Sequence, residues 1–297
     1  MAIRDLLFPL LSYPDPTPTS SIQAVVDISD KMAERRCARD KNGISTDAKT
    51  RIFALVIETL IDPGLAIEGG VYIEEYLNAE AKKCAENARH LSDQFGSLIQ
   101  GRRILGTCKI LKNGISPSLR AILCESRLHD MTAISVAKDN DFHQTLAEQL
   151  IFESGRPVLI FPEAPQHRLD RSFENIAIAW DGSRPAARAL ADAMPFLRRA
   201  DRVRIFSVTD DKTIDLTKGG IEIADALNAD GVYTIFEEVS KHDVRDLGAF
   251  IKSYVTEHES DLLVMGAYGH SRFREFFLGG ATSSILAHPP GWVMMSH

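Results

Sequence analysis

Leu262-Leu263-Val264-Met265-Gly266-Ala267-Tyr268-Gly269 runs on through residues 270–278 to Gly279-Gly280-Ala281-Thr282-Ser283-Ser284, and this stretch decides how the chain is read. An apolar strand enters a glycine-bearing turn, and Thr282 to Ala287 opens a short helix. Ligands of open parallel sheets settle beyond the carboxyl ends of strands, where loops and helix N-termini converge. Glycines at 266, 269, 279 and 280 let backbone N–H groups approach a phosphate closely, and the positive end of the helix suits an anion. A phosphate cradle fits this pattern, and so does a plain strand-to-helix turn, because glycine marks both.

Around that stretch, short apolar runs alternate with longer segments of helical period, the pattern of a parallel sheet flanked by helices. The second half offers strands at Ile176–Trp180, Val203–Val208, Val232–Phe236, Leu262–Gly266 and Trp292–Met295. After Asp181-Gly182-Ser183, the positions Leu190, Met194 and Leu197 predict a helix, with Ser183 as its cap and Pro185 in its first turn. Val244, Leu247, Ile251, Tyr254 and Val255 form another apolar stripe.

The first half repeats the alternation, with strands at Leu6–Leu11, Ile52–Ile57, Ile104–Ile110, Thr132–Ala137 and Val158–Phe161. Its most regular helix runs from about Ile73 to Leu98 along Leu77, Ala81, Cys84, Ala88, Leu91 and Phe95. The charge-mixed stretch from Ala33 to Lys49 reads as a surface loop. Arg51-Ile52-Phe53 echoes Arg204-Ile205-Phe206, a weak sign of internal duplication. The segment from Glu163 to Ser172 has no period, which divides the chain into a domain at 1–162, a linker at 163–172 and a domain at 173–297.

Gly266-x-x-Gly269, nine residues and then Gly279, after Leu262-Leu263-Val264-Met265, resembles the nucleotide loop of the universal stress protein family. Ile176 to Trp180, followed by Asp181 and an alanine-rich helix, is similar to that family's first strand. The resemblance implies an α/β fold of two Rossmann-like, adenine nucleotide alpha-hydrolase-like domains, each a five-stranded parallel sheet of order 3-2-1-4-5. Some members hold ATP, with or without Mg, and others bind no nucleotide. Carried over by position, Asp181 would face the adenosine side or a metal, and Val208 would border the adenine. Met265 and Gly266 would pass beneath the ribose, and Gly269, Gly279, Gly280 and Thr282 would hold phosphates. The chain departs from the family in having Gly280 where a Ser or Thr is usual, and the large Trp180 before Asp181. The family's habit of pairing last strands implies that Val158–Phe161 lies beside Val293–Met295, an intrachain pseudo-dimer, and leaves a homodimer and an unidentified protein partner open.

The first half lacks the loop: Thr132–Ala137 leads into Lys138-Asp139-Asn140-Asp141, whose two added carboxylates would repel phosphate. No Walker, dinucleotide, nucleophile-elbow or zinc-protease signature occurs, and His270, Arg272 and Arg274 suggest no assigned catalytic group. The expected function is therefore a stress-response binding protein with an adenine-nucleotide site. The alternatives are a protein-interaction module without nucleotide and a slow ATP-hydrolysing switch.

Composition limits the remaining classes. Over 297 residues, 34 Lys+Arg against 41 Asp+Glu leave a net charge of -7, which disfavours nucleic acid and anionic membranes as partners. Cys37, Cys84, Cys108 and Cys124 show neither a C-x-x-C pair nor metal-ligand spacing, so no metal is expected there. With no export signal and no unbroken spanning stretch, the expected location is cytoplasmic.

Overall fold

A computed structural model describes residues 3–39, 50–60, 71–114, 118–138, 140–163, 172–209, 214–240, 244–268 and 280–297. They fall into two compact units, one of Arg4–Ala133 and one of Ile134–His297 joined by residues 1–3. Most of the 163–172 linker expectation falls outside the described residues.

The first unit contains β1 (Asp5–Leu11), α1 (Thr19–Arg39), β2 (Arg51–Leu60), α2 (Val71–Ile99), β3 (Leu105–Gly114), α3 (Ser118–Ser126) and the start of β4 (Met131–Val136). β1 is apolar from Leu6 to Leu11 because both of its faces are covered, as in a central parallel strand. It pairs in parallel with β2 (Leu6 beside Ile52) and with β4 (Leu6 beside Met131), and β2 pairs in parallel with β3. On α2, Cys84, Ala88, Leu91 and Phe95 recur at helical spacing and are all buried. A side chain on Gly106 of β3 would start 2.4 Å from Ile99 Cδ1, so the absent Cβ is what lets α2 lie close.

One expectation is corrected here. The helix α1 continues through Ala33 to Arg39, where a surface loop was predicted. Mixed charge is compatible with helix as well as with loop, and the residues from Glu34 to Arg39 continue the helix that Ile22, Val25 and Ile28 anchor in the core. The remainder of that predicted loop, 40–49, lies outside the described residues.

The second unit continues β4 and adds α4 (Asp141–Glu153), β5 (Val158–Pro162), β6 (Asn175–Ala179), α5 (Arg184–Leu197) and β7 (Arg202–Thr209). It then contains α6 (Ile214–Ala229), β8 (Thr234–Ser240), α7 (Leu247–Glu257), β9 (Leu262–Gly266), α8 (Gly280–Ala287) and β10 (Trp292–Ser296). β6 lies between β7 and β9, all parallel, while β8 flanks β7 and β10 flanks β9. β10 also meets β5 antiparallel, with Val293 beside Ile160 and Met294 beside Leu159.

The hydrogen-bonded strand order is β3-β2-β1-β4-β5-β10-β9-β6-β7-β8. Each half keeps the expected order 3-2-1-4-5, and the two five-stranded sheets run on into one another as ten strands in one order. The physical reason lies in β5 and β10: a lone last strand would present unpaired backbone groups, and their antiparallel pairing satisfies both edges. Phe161 and Trp292 stack across this pairing with ring centroids 4.4 Å apart, and Phe173 closes on Trp292 at 6.1 Å.

Helices cover both faces of β6–β9. A Cβ on Gly266 would meet the backbone of α5, and one on Gly220 of α6 would meet the Phe236 ring, so α5 and α6 cover one face. Phe206 packs on Phe250 and Tyr254 of α7, and α7 packs on α8, which places these two helices on the other. Strand side chains alternate between the faces, so residues two apart share one.

The strand β8 starts later than the predicted Val232–Phe236 and runs on through Glu237 and Glu238 to Ser240. Charged residues are tolerated there because Glu237 is neutralised by Arg204 at 3.0 Å and accepts the Tyr254 hydroxyl.

Candidate functional site

Strand order reverses direction between β6 and β9, and the crevice beyond their carboxyl ends is where an open α/β sheet receives a ligand. From β6 the chain passes Trp180 and Asp181, turns at Gly182 with φ of 70°, and enters α5. The Ser183 N–H donates to Asp181 Oδ1 at 2.9 Å, and Ser183 Oγ accepts from the Ala186 N–H at 3.2 Å. Ser183 is therefore the helix cap, as its spacing predicts, and Asp181 closes the turn before it.

Gly266 ends β9, where a Cβ would lie 2.4 Å from Ala186 N and 2.6 Å from the Pro185 carbonyl carbon. Close helix-to-strand packing thus requires glycine at 266, independently of any ligand. Met265 beside it is buried, and Val208 in β7 is half-buried. Val208 shares its face with Phe206, and Met265 shares its own with Ala179, the partner of Phe206, so both belong to the α7/α8 face.

Trp180 goes the other way. Its Nε1 lies 3.6 Å from where a Cβ on Gly219 would stand, on the α6 side, and finds no hydrogen-bond partner among the described residues. Its carbonyl accepts the Ser207 hydroxyl at 2.7 Å. The indole therefore leaves the α7/α8 face clear.

At the far side of the turn, Gly280 is exposed at the first position of α8, and a Cβ there would meet nothing within 4 Å among the described residues. Thr282 is buried, and its Oγ1 accepts from the Tyr268 N–H at 3.5 Å. Among the described residues nothing accepts from the backbone N–H groups of Gly280, Ala281 or Thr282. Such leading amides are the groups that a helix N-terminus offers to an anion. Gly269 and Gly279, with His270, Arg272 and Arg274, lie outside the described residues. The structure thus brings Asp181, Met265, Gly266 and Thr282 to the strand ends.

Tyr268 was not singled out by the sequence. Its φ is 61°, a region that bulky side chains rarely adopt, and its ring is buried 4.5 Å from that of Phe152 in α4. Burial, and then the nearby Glu148 carboxylate, push its phenol well above the ordinary tyrosine range, so it stays neutral. An aromatic residue within a glycine-spaced turn was the available signal.

The equivalent turn after β4 is closed by side chains. The Ala137 N–H donates to His143 Nδ1 at 3.1 Å, and Asn140 caps α4 by accepting from the His143 N–H. Asp139 lies outside the described residues. Among the described residues no cluster of three or more His, Cys, Asp or Glu could hold a metal ion, and no helix is long and apolar enough to cross a membrane.

Comparison with known proteins agrees with this fold. The model of the Universal stress protein family matches residues 172–297. These residues are a universal stress protein domain. No curated protein matches the chain. Among solved structures, a universal stress protein from Archaeoglobus fulgidus DSM 4304 is similar over 99% of this chain and 96% of its own, with TM-score 0.66 and 16% identity. A putative universal stress protein from Pseudomonas aeruginosa UCBPP-PA14 is similar over 99% and 93%, with TM-score 0.54 and 13% identity. At these identities the likeness is one of fold, and it covers both halves of the chain.

Proposed function

We propose that the universal stress protein domain binds an adenine nucleotide beyond the ends of β6 and β9, on the α7/α8 face, and that the chain acts as a stress-response binding protein without efficient turnover. The observation that carries this reading is the start of α8, where three backbone N–H groups lack an acceptor among the described residues and the Thr282 hydroxyl stands beside them. Those amides and the hydroxyl would hold phosphate, Val208 and Met265 would border the nucleoside, and Asp181 would face the ribose or a divalent cation accompanying the phosphates. Gly269 and Gly279 join the phosphate set by the family resemblance. No residue is assigned as nucleophile or general base, which is why binding is preferred to hydrolysis.

The test is chromatography of the small molecules released when the purified protein is denatured, followed by titration with Mg-ATP. An adenine nucleotide in the extract, or saturable Mg-ATP binding that Thr282→Val weakens, supports the reading. An empty extract together with no binding contradicts it. The rival reading, a protein-interaction module, is favoured by Gly280, which supplies no hydroxyl where the family usually has one, and it predicts that second result.

A further inference from the structure

We propose that Phe152 in α4 is a positioning residue for the phosphate end of this site, acting through Tyr268 on Thr282; the inference rests on the nucleotide reading above. The backbone of Tyr268 is the starting observation. A non-glycine residue at φ of 61° is disfavoured relative to its ordinary conformation, and it persists only where its surroundings fix it. Glycine would carry no such cost, so the tyrosine ring must supply something in return.

The ring is buried against Phe152 at 4.5 Å and a 30° tilt, and the Phe152 ring also meets that of His297 at 4.8 Å. His297 Nδ1 bonds the carbonyl of Ala267, whose own N–H donates to the Ser296 carbonyl. The residue before Tyr268 is therefore held at both its backbone groups, and Tyr268 itself is held by its ring. With the ring seated, the Tyr268 N–H points at Thr282 Oγ1. A hydroxyl that accepts a hydrogen bond keeps its own proton, and this contact turns that proton away from Tyr268, leaving it to be donated elsewhere, in this proposal to a phosphate at the start of α8.

Phe152 has no other evident task. The core of α4 is made by His143, Leu146, Ala147, Leu150 and Ile151, while Phe152 is 39% exposed. An exposed phenylalanine that covers the strained Tyr268 is suited to positioning rather than to holding the helix on the sheet.

The experiment compares the full chain with Phe152→Ala and Phe152→Leu by calorimetric titration with Mg-ATP, by unliganded thermal melting, and by hydrogen exchange at the Tyr268 amide. Phe152→Ala should raise Kd about tenfold, the equivalent of ~1.4 kcal/mol, and speed exchange at Tyr268 while leaving the melting temperature close to that of the parent. Phe152→Leu should recover most of both effects. Unchanged exchange at Tyr268 in Phe152→Ala would overturn the inference, and so would a loss of affinity matched by a general loss of stability. Failure of the parent protein to bind any nucleotide would instead remove the reading on which the phosphate role rests, and the exchange measurement would still decide whether Phe152 holds Tyr268.

Discussion

Asp130 and Asp261 are structural counterparts. Asp261 Oδ2 accepts the backbone N–H groups of Glu174 and Asn175 at 3.1 and 2.9 Å, and Asp130 Oδ2 accepts those of Arg4 and Asp5 at 2.9 and 3.1 Å. Each aspartate also donates its own N–H to the strand it clamps, Asp261 to the Asn175 carbonyl and Asp130 to that of Asp5. Fourth strand and first strand are thereby fastened at their amino ends in both halves by one residue type in one geometry. Such agreement in atomic detail is what duplication of a single unit leaves behind.

Removing the clamp should be costly. Asp261→Ala strips the Asn175 amide of its acceptor and leaves the Glu174 N–H only the Ser172 carbonyl, and an unsatisfied group costs about 1–3 kcal/mol when it remains shielded from water. Asp261→Asn retains a carbonyl acceptor and should lose less. Urea unfolding of the three proteins checks the order; an alanine variant as stable as the parent would contradict it.

Gly266 should be intolerant of any side chain. A methyl group there would press on the Pro185 and Ala186 backbone, which cannot swing aside as a flexible side chain can. Overpacking of this kind typically costs about 1–3 kcal/mol. Thermal melting of Gly266→Ala without ligand is the measurement, and an unchanged midpoint would mean that α5 does not lie against β9 as described.

Trp180 separates the two faces of the sheet. Its indole sits toward α6, so Trp180→Phe should alter Mg-ATP affinity by less than about threefold, under 1 kcal/mol. A tenfold gain or loss on calorimetric titration would show that the indole reaches the ligand after all.

The alkaline limb of stability should depend on Tyr254. Its hydroxyl donates to Glu237 Oε2 at 2.5 Å, and burial first, then Glu237, hold the phenol well above its ordinary value. The unfolded chain releases this proton near pH ~10, whereas the folded protein keeps it. The stabilisation is therefore complete below about pH 10 and declines as pH rises toward the folded value. Melting curves from about pH 8 to about pH 11 should fall less steeply for Tyr254→Phe than for the parent. Parallel curves would show that the phenol is not held in this way.

Much of this architecture was legible in the residues, because buried parallel strands such as Leu6–Leu11 and Leu262–Gly266 are apolar on both faces, and α2 carries an unbroken stripe. Ser183 was legible as a cap for a local reason, the position of the helix that follows it. The tripeptide echo was misleading as a register. Arg51 pairs with Asp5 and its counterpart Arg202 with Asn175, so Arg204 stands two residues further along. Asp130 and Asp261 carried the true equivalence, but one aspartate before a strand has no distinguishing signal until its hydrogen bonds are seen. The candidate site divides likewise. Asp181 and Thr282 could be named through the family resemblance of their motifs, whereas the packing role of Gly266, the direction of the Trp180 indole and the backbone of Tyr268 depend on contacts between segments distant in sequence.

The most direct measurement of the central claim is thermal melting of the full chain in Mg-ATP, alongside ADP and an Mg-only control. At about 100 times its Kd a ligand specific to the folded state adds ~2.7 kcal/mol. The account predicts a rise of several degrees with an adenine nucleotide that Thr282→Val reduces and Mg alone does not reproduce. Superimposable melting curves with and without every adenine nucleotide, from protein that releases none on denaturation, would contradict it.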